Sequence, residues 1–189
     1  MNRPHFSRLH RFLHWTIALC ILLALFTAFL RATWMNGQEM ATVITASLAE
    51  KAITLSNDDA KNIAKTIRSP MFQWHFYAGY VLVALLLLRF FDLFKNGAKF
   101  ISSLAKGSPP KEKLQGALYI FLYAALTVVL IMGLLLKFGP KGDIHEVFEV
   151  IHVYGGVGIA LFVAAHFAGL WLGENTTDKG IVSKMINGG

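Results

Sequence analysis

The chain has 189 residues, of which 55% are hydrophobic and 15% are charged, and its mean hydropathy is +0.52. A soluble domain carries about 45–50% apolar and about 25% charged residues, so this composition argues against a soluble globular protein. The single cysteine, Cys20, excludes an intrachain disulfide framework, a thiolate zinc site and a C-x-x-C-H haem attachment.

Four stretches are long and apolar enough to cross a bilayer, which takes about 20 residues of helix. We predict spans at about 12–31, 71–91, 115–136 and 147–172. Backbone groups inside lipid must be bonded within the segment, and these continuous apolar runs lack the alternation of barrel strands. The predicted fold class is therefore all-α, a four-helix transmembrane bundle forming a single domain over residues 1–189.

The first span follows a basic start at Arg3, Arg8 and Arg11, as the core of a signal peptide would. No convincing small-x-small cleavage site follows it, and the apolar stretch is long for a signal core. We therefore expect this span to stay in the mature protein.

Residues 32–70 form a long connection to the second span. Ser56-x-x-Asp59 matches a capping box, and Ile63 and Ile67 follow at helical spacing. We predict one or two short amphipathic helices on the outer surface, serving either as a solvated face or as a docking site for a partner.

The basic residues are distributed unequally between the two sides of the membrane. The N-terminus, the linker 89–113 and the tail carry 11 basic and 4 acidic residues, whereas the opposite loops carry 7 of each. Cytoplasmic loops are enriched in Lys and Arg, so we predict that both termini are cytoplasmic. The net charge of +7 is then a topology signal, and we expect no nucleic-acid partner.

Seven histidines are unusual in so apolar a chain, because ionisable residues inside a bilayer are costly and are functional candidates. Four of them lie within or at the ends of the spans: His14, His75, His152 and His166. The other three are expected to be ordinary surface residues: His5, His10 and His145.

The four histidines in the spans pair by depth. His14 and His166 lie near the cytoplasmic side, whereas His75 and His152 lie near the outer side. His152 and His166 are 14 residues apart, which places them on one helix face within about 40° and separates them by about 21 Å in depth. Each pair therefore joins two different helices.

Two imidazoles from different helices, in an apolar shell, suit the two axial positions of a haem iron. A zinc site takes three or four ligands, often with carboxylates, and only Glu149 lies near the end of a span. Glycines on the histidine faces, including Gly79 and Gly156, either leave room for a flat macrocycle or let membrane helices pack closely.

Three arginines are candidates for neutralising haem propionates. Arg89 lies 14 residues after His75, on the same face but at the cytoplasmic level. Its alternative role is that of a helix-end arginine whose side chain extends to the interface. Arg11 and Arg31 are further candidates at the two levels.

The sequence RFLHW at 11–15, the histidine early in the second span and the two histidines 14 residues apart in the fourth carry a family resemblance. They resemble the bacterial cytochrome b561 and nickel–iron hydrogenase cytochrome b superfamily, which includes the gamma subunits of respiratory formate dehydrogenases. The tail at 180–188 also resembles the ending of hydrogenase-type cytochrome b subunits.

The resemblance implies two haem b groups in the bacterial inner membrane. His14 and His166 would bind one, and His75 and His152 the other. It implies electron transfer between the quinone pool and an outer-face hydrogenase, formate dehydrogenase, other molybdenum oxidoreductase or cytochrome c, and it leaves a homodimer open.

Two alternatives remain. Some compact members of the superfamily are superoxide:quinone oxidoreductases, although an outer side without net charge does not favour attraction of that anion. A histidine-based metal transporter is a more remote alternative, because such proteins typically need acids or broken helices at mid-membrane.

Overall fold

The structure, a computed structural model, describes residues 7–97, 104–105, 107–176 and 179–188. Arg3 and His5 of the sequence analysis lie outside these residues. Every regular element within them is a helix: α1 Arg8–Ala32, α2 Gly37–Ala49, α3 Asn57–Asn96, α4 Pro110–Phe138, α5 Asp143–Asn175 and α6 Ile181–Asn187. Helices α1, α3, α4 and α5 are long and apolar enough to cross a membrane, which confirms the all-α class with four spans.

The four spans bury few of their residues inside the protein. Only 6% to 22% of the residues in the most apolar window of each span are buried, and large side chains such as Phe91 and Leu161 are exposed. Apolar surface of this extent would drive association in water. Its exposure is what a helix surrounded by acyl chains requires, and it agrees with a multi-pass membrane protein.

The connection at 32–70 differs from the prediction in one respect. Helix α2 is a separate short helix, and its N-cap residue Asn36 accepts a hydrogen bond from the N–H of Gln38 at 2.9 Å. The second element of this connection is the first part of α3, which begins at Asn57 and continues into the second span. Because this part of α3 is polar, a search for apolar runs does not show that it is continuous with the second span.

One half of the predicted capping box is present at the start of α3, and the Asp59 carboxylate bonds the Ser56 hydroxyl in place of its backbone N–H. The Ser56 hydroxyl accepts a hydrogen bond from the N–H of Asp59 at 3.1 Å and donates one to its carboxylate at 2.6 Å. Further along, Pro70 lies inside α3. Proline lacks an N–H and removes one helical hydrogen bond, but α3 continues beyond it.

Two compact units divide the chain. The first comprises 1–17 and 83–189, and the second comprises 18–82, so α1 and α3 contribute residues to both. The single domain predicted from the sequence stays a prediction, and each unit is described in turn.

In the first unit, α4 and α5 form an extensive contact. The turn between them contains Gly142, whose φ of +98° favours glycine. A Cβ atom at Gly155 of α5 would overlap the side chain of Val129 on α4. Glycine at this position therefore permits the close approach of the two helices.

Helix α6 is held at both ends within the first unit. The Glu174 carboxylate accepts a hydrogen bond from the N–H of Gly180 at 2.7 Å, just before α6 begins. At the other end, Arg11 Nη1 donates to the carbonyl of Ile186 at 2.8 Å. Trp15 Nε1 donates to the carbonyl of Met185 at 3.1 Å. Both donors belong to α1, so the tail is fastened to the first span.

In the second unit, small side chains are the most deeply buried. Ala41 of α2 and Ala60 and Ala64 of α3 have no exposed surface. Thr27, a polar residue of α1, is only 4% exposed. A polar group at such a position needs a hydrogen-bond partner, and its partner is described below.

Candidate functional site

The structure brings together the two histidines predicted for the inner level. His14 of α1 and His166 of α5 lie in the first unit, with ring centroids 6.2 Å apart and ring planes inclined at 55°. Both residues are half-buried. In the part of the chain that the structure describes, neither imidazole makes a hydrogen bond, so their nitrogens are not committed to each other or to the backbone.

Aromatic side chains fix the orientation of these two rings. Phe162, one turn before His166, stacks on its imidazole with centroids 5.9 Å apart and planes inclined at 12°. Phe167 contacts the same imidazole at an edge. In α1, Trp15 lies edge-on to His14 with ring centroids 5.7 Å apart. Sequence reasoning missed Phe162, although a spacing of four residues on a helix predicts such a contact.

The spacing of the two imidazoles fits a metal ion between them. Two metal–nitrogen bonds of about 2 Å, plus the distance from each nitrogen to its ring centre, place opposed imidazole centroids roughly 6 Å apart. The observed separation is 6.2 Å. The residues present therefore fit haem, and His14 and His166 would be the residues that hold its iron.

A second polar group of the first unit surrounds Arg89 of α3. Its Nε donates to the Tyr123 hydroxyl at 2.9 Å, and its Nη1 forms an ion pair with the Asp92 carboxylate at 2.8 Å. The Arg89 and Asp92 side chains are only 12% and 16% exposed. The guanidinium therefore already has a counter-ion on its own helix. That Arg89 neutralises a haem propionate stays a prediction.

The Arg11 guanidinium donates a hydrogen bond to the Ile186 carbonyl of α6, as described above. The guanidinium lies beside Gly188, where a Cβ atom would come within 3.0 Å of it. Its Nε is buried and has no hydrogen-bond partner among the described residues. The role of Arg11 in neutralising a haem propionate also stays a prediction.

His152, predicted for the outer level, is held by α4. Its Nδ1 lies 2.9 Å from the carbonyl oxygen of Val129, which can only accept. Nδ1 must therefore carry the proton, and Nε2 is the nitrogen able to bind a metal. A Cβ atom at Gly133 would lie 3.0 Å from the imidazole Cε1. The third span, which contains no histidine, thus positions a histidine of the fourth.

His75, in the second unit, is held in the same way by a side chain. Its Nδ1 lies 2.8 Å from the Thr27 hydroxyl oxygen. That hydroxyl is also 2.8 Å from the carbonyl of Ala24 and 3.0 Å from that of Leu23. Because the hydroxyl proton is directed to these carbonyls, the oxygen accepts from Nδ1–H, and Nε2 of His75 is again the potential metal ligand.

The remaining predicted positions are less informative. A Cβ atom at Gly79 or Gly156 would meet nothing within 4 Å, so space exists there, and their predicted contact with a macrocycle stays a prediction. His10 and His145 are half-buried, and their expected role as ordinary surface residues stays a prediction. His10 lies one turn before His14 on α1 and within electrostatic reach of it.

Among the described residues, no group of three or more His, Cys, Asp or Glu side chains could hold a metal ion. The first unit instead presents a pair of imidazoles 6.2 Å apart among aromatic rings. Four membrane-spanning helices with such a pair define a class of protein: a helical membrane protein with a bis-histidine site of the kind that holds haem.

Comparison with protein families agrees with this class. A family model described as prokaryotic cytochrome b561 matches residues 5–188, and the chain therefore belongs to that family. Proteins of this family are membrane haem b proteins that transfer electrons. Comparisons with curated proteins and with solved structures gave no match.

Proposed function

We propose that this chain is a di-haem cytochrome b that carries electrons between a redox partner on the outer face and the quinone pool of the bacterial inner membrane. The observation that carries the proposal is the pair of His14 and His166, with ring centroids 6.2 Å apart, in a chain of a haem b family. In the proposed orientation, this pair lies on the cytoplasmic side.

The proposal assigns the second haem to His75 and His152. Its support comes from the sequence, which places both residues at the outer level, and from the separate setting of each ring. Each Nδ1 is hydrogen-bonded within its own unit, to Thr27 or to Val129. A hydrogen bond from the second ring nitrogen is the usual orienting device of histidines that bind metals.

Haem iron supplies one-electron redox chemistry when it is bound. The residues of the chain supply the ligands, their orientation and a low-dielectric shell. Phe162 and Trp15 restrict the inner imidazoles, and Thr27 and the Val129 carbonyl restrict the outer ones. The exposed apolar faces of the spans bring this machinery into contact with the lipid phase, where quinone is dissolved.

Haem content tests the proposal directly. Purified protein should contain about two haem b groups per chain by the pyridine haemochrome assay, and His166→Ala should reduce this to about one. His10→Ala is the matched control, because His10 lies one turn from His14 and is not assigned as a ligand. Loss of haem in His10→Ala with retention in His166→Ala would overturn the assignment of the inner ligands.

The partner requires a separate experiment. Co-purification of the chain with an outer-face dehydrogenase, hydrogenase or cytochrome c would support the role of a respiratory subunit. Reduction of the isolated protein by superoxide, followed by quinone reduction without any partner, would instead favour the stand-alone oxidoreductase.

A further inference from the structure

A cluster of basic side chains lies in the second unit and includes none of the four predicted haem ligands. Lys61, Lys65 and Arg68 are four and three residues apart on α3 and share one helical face. With Gly37 and Gln38 of α2 they line a cavity of about 360 Å³. Neither the haem ligands nor the electron-transfer proposal uses these residues.

The cations of this cluster have no acidic partner among the residues that the structure describes. Within the described residues, none of the three forms an ion pair. The Nε atom of Arg68 is buried and has no hydrogen-bond partner there. Three positive charges around one cavity repel one another, and an anion in the cavity would relieve this repulsion.

The Arg68 guanidinium is held in place for such an anion. It lies over the ring of Phe72, with Cζ 5.6 Å from the ring centroid. It also packs against the backbone of Gly37, where a Cβ atom would come within 2.9 Å of Nη1. Gly37 is the first residue of α2, so a cation lies at the positive end of a helix, an arrangement that an anion would stabilise.

The side chains provide the binding groups. Asn36 already accepts hydrogen bonds from the N–H groups of Gln38 and Glu39. The cationic donors that line the cavity are the guanidinium fork of Arg68 and the two ammonium groups, and the side-chain amides of Gln38 and Asn62 also line it. A planar fork with neighbouring ammonium groups matches the several oxygens of a phosphate group.

The position along α3 indicates the depth of the cavity. Arg68 lies three residues before the predicted start of the second span, and Lys65 and Lys61 lie about one and two turns further from it. These turns correspond to the headgroup layer of a bilayer and the water beyond it. Lipid phosphates occupy this layer.

We propose that Lys61, Lys65 and Arg68, together with the first turn of α2, form a binding site for a phosphate group at the outer surface of the membrane. The phosphate belongs either to an anionic lipid or to free inorganic phosphate. This site is independent of the haem ligands and of the direction of electron flow.

The test uses the purified full-length holoprotein. Native mass spectrometry would compare retention of phosphatidylglycerol with that of diacylglycerol, which has the same chains and no phosphate. Isothermal titration calorimetry would measure the binding of inorganic phosphate to the protein. The variants are Lys61→Gln/Lys65→Gln and Gly37→Ala, whose added methyl group displaces the Arg68 guanidinium. The control Lys51→Gln/Lys141→Gln removes the same charge from loops outside the cavity.

Each basic residue near an anionic surface contributes roughly a fivefold factor in binding, so we expect roughly 25-fold weaker binding in the double lysine variant and little change in the control. Specific retention of phosphatidylglycerol identifies the lipid as the source, whereas titration by inorganic phosphate alone identifies the free ion. Absence of both, equal retention of diacylglycerol, or equal loss in the control would overturn the proposal. An unchanged haem spectrum shows that each variant is folded.

Discussion

At the scale of single residues, the two histidines predicted for the outer level are oriented by acceptors of different kinds. Val129 offers a backbone carbonyl, which no substitution can remove, whereas Thr27 offers a hydroxyl, which a single substitution removes. Thr27 is also buried at 4% exposure, so no water replaces the lost oxygen without rearrangement. This makes Thr27 the sharper probe of how ligand orientation affects the site.

We predict that Thr27→Val weakens haem binding at His75. Valine has nearly the same shape but cannot accept the Nδ1–H bond, and loss of such an orienting partner typically costs a metal site about 10- to 100-fold in affinity. Transfer of haem to apomyoglobin should therefore be faster in the variant. Thr16→Val is the matched control on the same helix, because the Thr16 hydroxyl bonds only the Phe12 carbonyl. Equal transfer from both variants would contradict the assigned role.

Sequence reasoning identified the histidines but only part of their surroundings. His14 and His166 could be matched because depth in a membrane follows from residue number in a helix. The acceptor of His152 is a backbone atom, which no residue type reveals. Asp92, the ion-pair partner of Arg89, was visible three residues away. It was overlooked because a charged residue beyond the apolar run was assigned to the linker.

At the scale of elements, the spans were predictable from composition, and the contacts between distant segments were not. The four apolar runs lie within α1, α3, α4 and α5. The early start of α3 was missed because its polar first part has no apolar run. The bond from Arg11 to the Ile186 carbonyl joins residues 175 positions apart, and no local pattern encodes such a contact.

The contact of α4 with His152 leads to a prediction at this scale. In Gly133→Ala the new methyl group would lie 3.0 Å from the imidazole Cε1, so the ring or the helix must move, at a cost of about 1–3 kcal/mol. We expect a lower Tm of the holoprotein and a shift in the reduction potential of the haem assigned to His152. In the control Gly158→Ala the methyl group would lie at an ordinary 3.5 Å from Phe121 Cζ. A potential that shifts equally in both would rule out a specific effect on His152.

The hydrogen bonds that join α6 to α1 lead to a second prediction at the scale of elements. Trp15→Phe keeps the ring beside His14 but removes the N–H that donates to the Met185 carbonyl. A hydrogen bond of this kind contributes about 1 kcal/mol, so amide exchange in residues 181–188 should become roughly fivefold faster. Hydrogen–deuterium exchange with mass spectrometry measures this rate. Trp34→Phe is the control, because Trp34 is 76% exposed. Exchange that stays at the wild-type rate in Trp15→Phe would show that the tail is held by other contacts.

At the scale of the whole molecule, the uneven distribution of basic residues sets the expected orientation. One set of segments has 11 basic and 4 acidic residues, and the other has 7 of each. Basic loops near the ends of spans are retained in the cytoplasm. The proposed assignment of the inner and outer haems, and of the phosphate site to the outer surface, follows from this orientation.

The single cysteine allows a clean test of the orientation. Cys20→Ser removes the only thiol of the chain, and one new cysteine is then added at a time. We predict that Lys51→Cys, in the turn between α2 and α3, reacts with a membrane-impermeant maleimide in intact spheroplasts. Ser108→Cys, in the basic linker, should react only after lysis, since an even number of spans returns the chain to its starting side. The reverse labelling pattern would show that the chain has the opposite orientation in the membrane. The levels assigned to the two histidine pairs would then be exchanged.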